Sequence, residues 1–258
     1  MSQITQRGAT GPLALTASGT FQQSTDANLA SLVGTRWDLS DGREVVLVST
    51  SSATTTVAGT LYQDAALIAN HQGLVVTAVQ AYSNNGNTPA TVTATLGGTA
   101  VTANQYQGGF LSVQSSTGLG QFLRIAGNTA QTVTSGAVVV TLEDAPNLAL
   151  TTSSVVSLIP AHGSNVIINP TTPTNTPVGI ALYAISPSSY GFLVAKGLTA
   201  AVSDSTAPAV GHAIASSTTT AGDIGAVAYT GSVITGTVIG NTAVAASSAA
   251  ANLIYLNL

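Results

Sequence analysis

The chain has 258 residues, of which 45% are hydrophobic but only 5% charged and 5% aromatic; 5 Lys+Arg against 9 Asp+Glu give a formal net charge of -4, and there is no cysteine. About 25% charged residues is usual, so this chain lacks the common raw material of acid–base chemistry and of monomer solubility, and it reads as a non-enzymatic protein held in an assembly. The weak charge offers no hold for nucleic acid or an anionic membrane, the missing cysteines exclude disulfides and thiolate metal sites, and no apolar run approaches the roughly 18 residues of a membrane span. Met1 to Thr20 shows neither the basic nor the apolar region of a signal peptide, which predicts synthesis in a cytosol without export.

Residues 1–30 are rich in Gly, Ser, Thr and Gln and carry isolated apolar side chains, which predicts an extended N-terminal arm, unordered or ordered by a neighbour, with Leu13, Leu15 and Phe21 as its anchors. A β-rich domain is expected over residues 31–150. Its strand candidates are Arg43 to Val48, Leu74 to Tyr82, Thr91 to Leu96, Thr99 to Thr102, Phe110 to Gln114, Phe122 to Ala126 and Thr132 to Leu142. Asn84-Asn85-Gly86-Asn87 supplies the positive φ of a type I′ hairpin between the second and third of these. Glu143 to Leu150 opens with two acids and a proline, as a short helix would.

Residues 151–177 form a Pro/Thr-rich connection whose Asn169 to Pro177 stretch, with prolines at 170, 173 and 177, reads as a stiff linker and a domain boundary. Residues 178–258 are expected to form a small β-barrel domain, with strands at Val178 to Ile185, Tyr190 to Lys196, Gly211 to Ala215, Ile224 to Ala228, Val233 to Ile239 and Ala251 to Leu258. The predicted class is therefore all-β: two small β-sandwich or barrel domains, an extended N-terminal arm and at most one or two short helices. The abundant threonine suits the solvent face of strands in a surface kept wettable without charge.

Residues that carry chemistry are sparse. Asp38-Leu39-Ser40-Asp41-Gly42-Arg43-Glu44 lacks calcium-loop spacing and reads as an Asp-Gly turn into a strand. His71, His162 and His212 stand apart beside Gly or Asn and read as turn or surface histidines; no G-x-S-x-G elbow or phosphate loop occurs, and Lys196 is the sole lysine. Glu143-Asp144 and the separated Asp204 and Asp223 are the only further acids that could pair, and their simpler reading is a helix-start acid at Asp144 and a turn acid at Asp223. No catalytic, cofactor or metal residue is predicted. Arg36 and Trp37 join Leu13, Leu15 and Phe21 as candidate partner-interface residues, because Trp and Arg dominate such contacts; core packing for Trp37 and an ion pair from Arg36 to Asp38 or Asp41 are the competing readings.

Gly34-Thr35-Arg36-Trp37-Asp38-Leu39-Ser40-Asp41-Gly42-Arg43, with Ala58-Gly59-Thr60-Leu61-Tyr62-Gln63, resembles the N-terminal part of capsid decoration (cement) proteins of tailed bacteriophages, as do Gly108-Gly109-Phe110, Gly118-Leu119-Gly120 and Arg124-Ile125. Pro177-Val178-Gly179-Ile180-Ala181, Tyr190-Gly191-Phe192-Leu193-Val194, Gly197, Val210-Gly211 and Ala221-Gly222-Asp223 look like the small β-barrel module of such proteins. The resemblance implies a virion structural protein on the outer surface of the capsid, a homotrimer clamping the major capsid protein lattice, with no cofactor. A phage tail or fibre component, or an adhesin binding a host receptor, is the alternative.

Overall fold

The computed structural model describes residues 4–6, 23–81, 89–133, 135–204, 208–230, 233–235, 239–242 and 250–258, with the backbone alone at 4–6, 228–230 and 233–235. The chain divides into two compact units, one made of Met1–Ala65 with His162–Leu258 and the other of Ala66–Ala161. The first stretch carries strands β1 (Ile4–Gln6), β2 (Arg36–Leu39), β3 (Glu44–Ser49) and β4 (Leu61–Gln63), with a 3-10 helix at Ala27–Leu32. The second unit carries β5 (Leu74–Gln80), β6 (Thr91–Thr95), β7 (Phe110–Ser115), β8 (Phe122–Asn128), β9 (Ala137–Leu142) and β10 (Val155–Ile159), preceded by a 3-10 turn at Ala69–His71. The chain returns through β11 (Ile167–Ile168), β12 (Pro177–Ala181), β13 (Tyr190–Val202), β14 (Ala213–Ser216), β15 (Ile224–Ala226), β16 (Ala228–Thr230), β17 (Val233–Thr235), β18 (Gly240–Thr242) and β19 (Ala251–Asn257). The all-β class follows directly.

The Ala66–Ala161 unit is a closed barrel of antiparallel strands in the order β10-β5-β6-β9-β8-β7. Strands β6 and β9 alternate throughout, and β7 and β8 alternate over their first four residues. Val92 and Ala94 of β6, Leu111 and Val113 of β7, and Leu123 and Ile125 of β8 face a buried interior, while Thr91, Thr93 and Thr95 between them are half-exposed. A period of two puts one set of side chains in the core and the other in water, and closure removes the exposed edges that invite association. β5 and β6 pair antiparallel up to Gln80↔Thr91, and the turn expected at Asn84 to Asn87 between them lies outside the described residues.

The other unit is an eleven-stranded sheet following the path β1-β2-β3-β13-β19-β18-β14-β15, with β4, β11 and β12 attached beside it, and a separate pair, β16 with β17. Its spine is β13, thirteen residues long, paired to β3 along one side and to β19 along the other. Trp37, Leu39, Val45, Leu47, Phe192 and Val194 from three neighbouring strands build one core cluster, while Val46, Val48 and Leu193 on the alternate positions build a second. Both faces of β3 and of the first half of β13 are thus buried, which explains their unbroken apolar runs.

The division differs from that expected at the Pro-rich connection. The closed barrel lies within 66–161, and residues 178–258 supply strands of the sheet rather than a barrel of their own. The Pro-rich stretch is hemmed in by its own unit: β11 and β12 at its ends both pair with β4, Asn175 Nδ2 donates to the Ala65 carbonyl at 2.7 Å, and Gln63 Nε2 donates to Thr174 Oγ1 at 2.7 Å. Glu143 to Leu150 is bent chain rather than a helix. The end of the expected arm is fixed to its own chain, since Ser24 and Tyr190 exchange backbone hydrogen bonds of 2.9 and 2.7 Å and Leu29 packs on the sheet core. Near the N-terminus β1 pairs with β2, Ile4 opposite Leu39.

Candidate docking surface

Trp37 and Arg36 are neighbours on β2 and so point to opposite sides. Trp37 is only 3% exposed and meets Phe192 edge-on, with ring centroids 5.4 Å apart and planes at 86°, the geometry aromatic quadrupoles favour. Its packing is that of a core residue. Arg36 Nη1 donates to Glu44 Oε1 at 2.7 Å and to the main-chain oxygen of Leu258 at 3.1 Å. Glu44 stands directly opposite Asp38 across β2 and β3, which makes it the diagonal neighbour of Arg36 and explains why it is the partner instead of Asp38 or Asp41. Asp41 is taken by Arg43 at 2.6 Å, and that hydrogen-bonded guanidinium holds the Asp41 carboxyl below its ordinary value. Leu13, Leu15 and Phe21 lie outside the described residues.

The groups with chemical potential are tied into structure. His71 is fully buried, against its reading as a turn or surface residue, because the 3-10 turn at Ala69–His71 rolls the ring inward onto Tyr106 of the barrel core. Its Nε2 lies 3.0 Å from the Thr99 carbonyl, which can only accept, so Nε2 carries the proton and Nδ1 accepts from the Tyr106 hydroxyl at 2.6 Å. Burial pushes the Tyr106 hydroxyl up, so it stays protonated and able to donate.

In the sheet unit His162 Nδ1 meets Asp64 Oδ2 at 2.8 Å, and Asp64 Oδ1 accepts from the Gly163 amide at 2.7 Å. A carboxylate orienting an imidazole is half of a nucleophile-activating pair, but no hydroxyl bonds the other ring nitrogen among the described residues. What the pair does join is residue 64 to residue 162, the two crossings of the chain where the barrel is inserted. His212 is exposed.

Asp204 and Asp223, separated in sequence, are brought together. Asp204 is 8% exposed and accepts from Ser217 Oγ at 2.6 Å, while burial first and the Asp204 charge second push the Asp223 carboxyl above its ordinary value. No group of three or more His, Cys, Asp or Glu suited to a metal occurs among the described residues.

The outer wall of the barrel carries a different kind of feature. Phe110 on β7 and Phe122 on β8 alternate with core residues and so face outward, where their rings stack with centroids 4.3 Å apart and planes at 17°. Phe122 is 56% exposed. Arg124, directly opposite Phe110 in the register, binds Glu143 at 3.0 Å. Leu119 at the tip of the β7–β8 hairpin and Leu148 beyond Glu143 are exposed too, and Leu148 is brought to this side by its backbone hydrogen bonds to the Gln121 side chain. Gly118 shapes the hairpin tip: its φ of +87° suits glycine alone, and a Cβ there would strike Leu150 Cδ2.

Residues 66–161 contain just three charged side chains, Arg124, Glu143 and Asp144, and the first two form the ion pair beside this aromatic pair, with Arg124 opposite Phe110. Apolar and aromatic surface flanked by an arginine ion pair on a rigid strand frame has the composition of a protein-binding hot spot. Phe110 and Phe122 are absent from the residues that composition singles out, and their signal in the sequence is phase, since Leu111, Val113, Leu123 and Ile125 fix the inward set and leave the phenylalanines outside.

The sheet unit exposes an apolar face of its own, Leu198 directly opposite Tyr255 and Ala200 opposite Leu253 on β13 and β19, with Lys196 alongside. Among the described residues no helix is long and apolar enough to cross a membrane. Comparison of the chain with protein-family models, with curated proteins and with solved structures found no match.

Proposed function

We propose that the protein is a non-enzymatic capsid decoration protein, bound in many copies to the outer surface of a bacteriophage head, where it grips the major capsid protein and stabilises the lattice as a homotrimer. The observation that carries this reading is the stacked pair of half-exposed Phe110 and exposed Phe122 with its Arg124–Glu143 ion pair, a compact docking surface on a barrel whose one further charged residue is Asp144. Repetition on a lattice multiplies modest single contacts into tight retention, so one small hot spot per copy suffices. The barrel's apolar interior and threonine-studded exterior are the inverse of a membrane barrel, whose outer band is apolar, and suit a protein that meets water and protein. Residue-level likeness to decoration proteins in the segments around Gly34 to Arg43 and Tyr190 to Gly197 points the same way.

The test is to add the purified protein to undecorated phage shells and image them by electron cryomicroscopy. Stoichiometric density repeated over the outside of the shell is the expected result. Density confined to the tail would transfer the protein to the tail, fibre or adhesin class, and no density at all would remove the decoration reading.

A further inference from the structure

Asp41-Gly42 is the one Asp-Gly pair in the chain, and it sits in the turn between β2 and β3. Such a pair is prone to isomerise, because glycine has no side chain to keep its nitrogen away from the aspartate. The Gly42 nitrogen, on losing its proton, can attack Asp41 Cγ. The N–Cγ bond forms and a Cγ–O bond breaks; the oxygen departs as water with the carboxyl hydrogen and the amide proton, and a succinimide ring is closed. Water then reopens the ring. Attack at Cγ restores aspartate, and attack at the main-chain carbonyl leaves isoaspartate, whose main chain runs through the side chain and is one methylene longer.

The hairpin depends on both residues. Gly42 has a φ of +84°, which suits glycine, and nothing lies within 4 Å of the place a Cβ would take, so no neighbour covers it. Asp41 Oδ1 accepts from the Arg43 amide at 3.1 Å, inside a turn where Gly42 N donates to the Leu39 carbonyl at 3.0 Å and Leu39 N to the Arg43 carbonyl at 2.7 Å. Beyond the turn the register sets Trp37 opposite Val45, two residues of the sheet core. An extra methylene in the turn would work against that register.

Arg43 holds the reacting groups. Its Nε donates to Asp41 Oδ2 at 2.8 Å and its Nη2 to the same oxygen at 2.6 Å, so with the amide both carboxylate oxygens are engaged. Donors aimed at the ionised form favour it, and the Asp41 carboxyl is held below its ordinary value by this contact. Ring closure needs the neutral acid, since an ionised carboxylate would have to expel oxide. The Gly42 proton that must leave is engaged by the Leu39 carbonyl at the same time. The other ionisable side chains around the turn are Asp38 and Glu44 on its two strands and Lys196 on β13, next to the Gly197 that abuts Arg43; Glu44 is bound by Arg36. Among the described residues Arg43 is the one side chain that bonds the Asp41 carboxylate.

We propose that Asp41-Gly42 is a site of spontaneous isoaspartate formation and that Arg43 guards it, by keeping the Asp41 carboxylate ionised and fixed on its own guanidinium and amide. The assignment is independent of the decoration reading, because it follows from the chemistry of the turn alone.

The test uses the full chain, as parent, Arg43→Ala and Arg43→Lys, each aged at 37 °C and several pH values. Peptide mapping by mass spectrometry counts succinimide, lighter by one water, and isoaspartate, identified by its backbone fragments. Near about pH 5, above the ordinary aspartate range, Arg43→Ala should isomerise at residue 41 at least about threefold faster than the parent, a modest factor because the contact is partly exposed. The ratio should shrink as pH falls through the carboxylate range, where both proteins carry the neutral acid. Arg43→Lys, which keeps the charge but loses the planar fork, should fall between the two, and it replaces Arg43→Ala if that variant loses its dispersed NMR spectrum. Equal rates in parent and variants would overturn the proposal. So would a ratio that stays the same at every pH, the mark of a turn that has merely loosened.

Discussion

The two units solve the same problem, folding with few charges, in opposite ways. The barrel has three charged residues, of which Arg124 and Glu143 pair beside one aromatic patch, and it closes its hydrogen-bond ladder on itself, so its surface is sparsely charged and edgeless. The sheet unit holds several of the remaining charges in local contacts, Arg36 with Glu44, Arg43 with Asp41 and Asp64 with the His162 ring, and its ladder runs out at β1 and β15. In the first, charge marks a place for contact. In the second, it tidies turns and chain crossings, where exposed pairs contribute little to stability.

The strongest way to break this contrast is to separate the units. Asp64 and His162 touch at 2.8 Å, so the ends of the insertion are already side by side. Replacing Ala66–Ala161 by a short Gly-Ser bridge should leave the sheet unit folded, and Ala66–Ala161 made alone should fold as a barrel, each with cooperative thermal unfolding and a dispersed NMR spectrum. If both pieces are unfolded, the division into self-sufficient units is wrong.

A core substitution sharpens the same point at smaller scale. Leu111→Ala empties a fully buried position of the barrel and should cost about 3 kcal/mol, read as a lowered denaturant midpoint of the barrel. The sheet unit should keep its own midpoint within about 0.5 kcal/mol, since distant sites act independently. A matching fall in the sheet unit would contradict that independence.

The smallest effect belongs to the acids of the sheet unit. Asp223, raised chiefly by burial and then by Asp204, binds its proton more tightly in the folded protein than in the unfolded chain, so its ionisation weakens the fold above the folded value and the penalty fades as pH falls through it. Asp223→Asn should therefore be slightly more stable than the parent at pH 7, the gap closing as pH approaches 4. Asp41 has the opposite sign: lowered by its hydrogen-bonded Arg43, it supports the fold above the ordinary aspartate range and loses that support in acid, an effect screened by its exposure. Thermal melts of the two Asn variants across this range check both directions.

Most strands were legible because a half-buried strand writes its period into the sequence. Thr91 to Thr95 alternates threonine with Val92 and Ala94, and the structure places those two inside. The insertion was not legible, since nothing local in Glu44–Ser49 says that its partner is Tyr190–Val202 on the far side of a whole barrel. Pro170 to Pro177 looked like a linker because proline stiffens any segment, whether it joins units or lies along β4, and only the hydrogen bonds from Gln63 and Asn175 distinguish the two. Glu143 to Leu150 carries the signature of a helix start, but Gln121 satisfies the backbone of Leu148 instead. Trp37 is the reverse case, a residue type suited to an interface that its strand phase directs into the core.

The central claim is that the barrel's aromatic face, rather than the sheet, does the docking. Co-sedimentation with undecorated phage shells tests it most directly, using the parent protein, Phe122→Asp and Leu198→Asp, both changes lying at exposed strand positions that leave the cores intact. Phe122→Asp should lose about 2 kcal/mol of binding, roughly 30-fold in affinity, while Leu198→Asp binds like the parent. Equal binding by all three proteins, or a loss confined to Leu198→Asp, would contradict it.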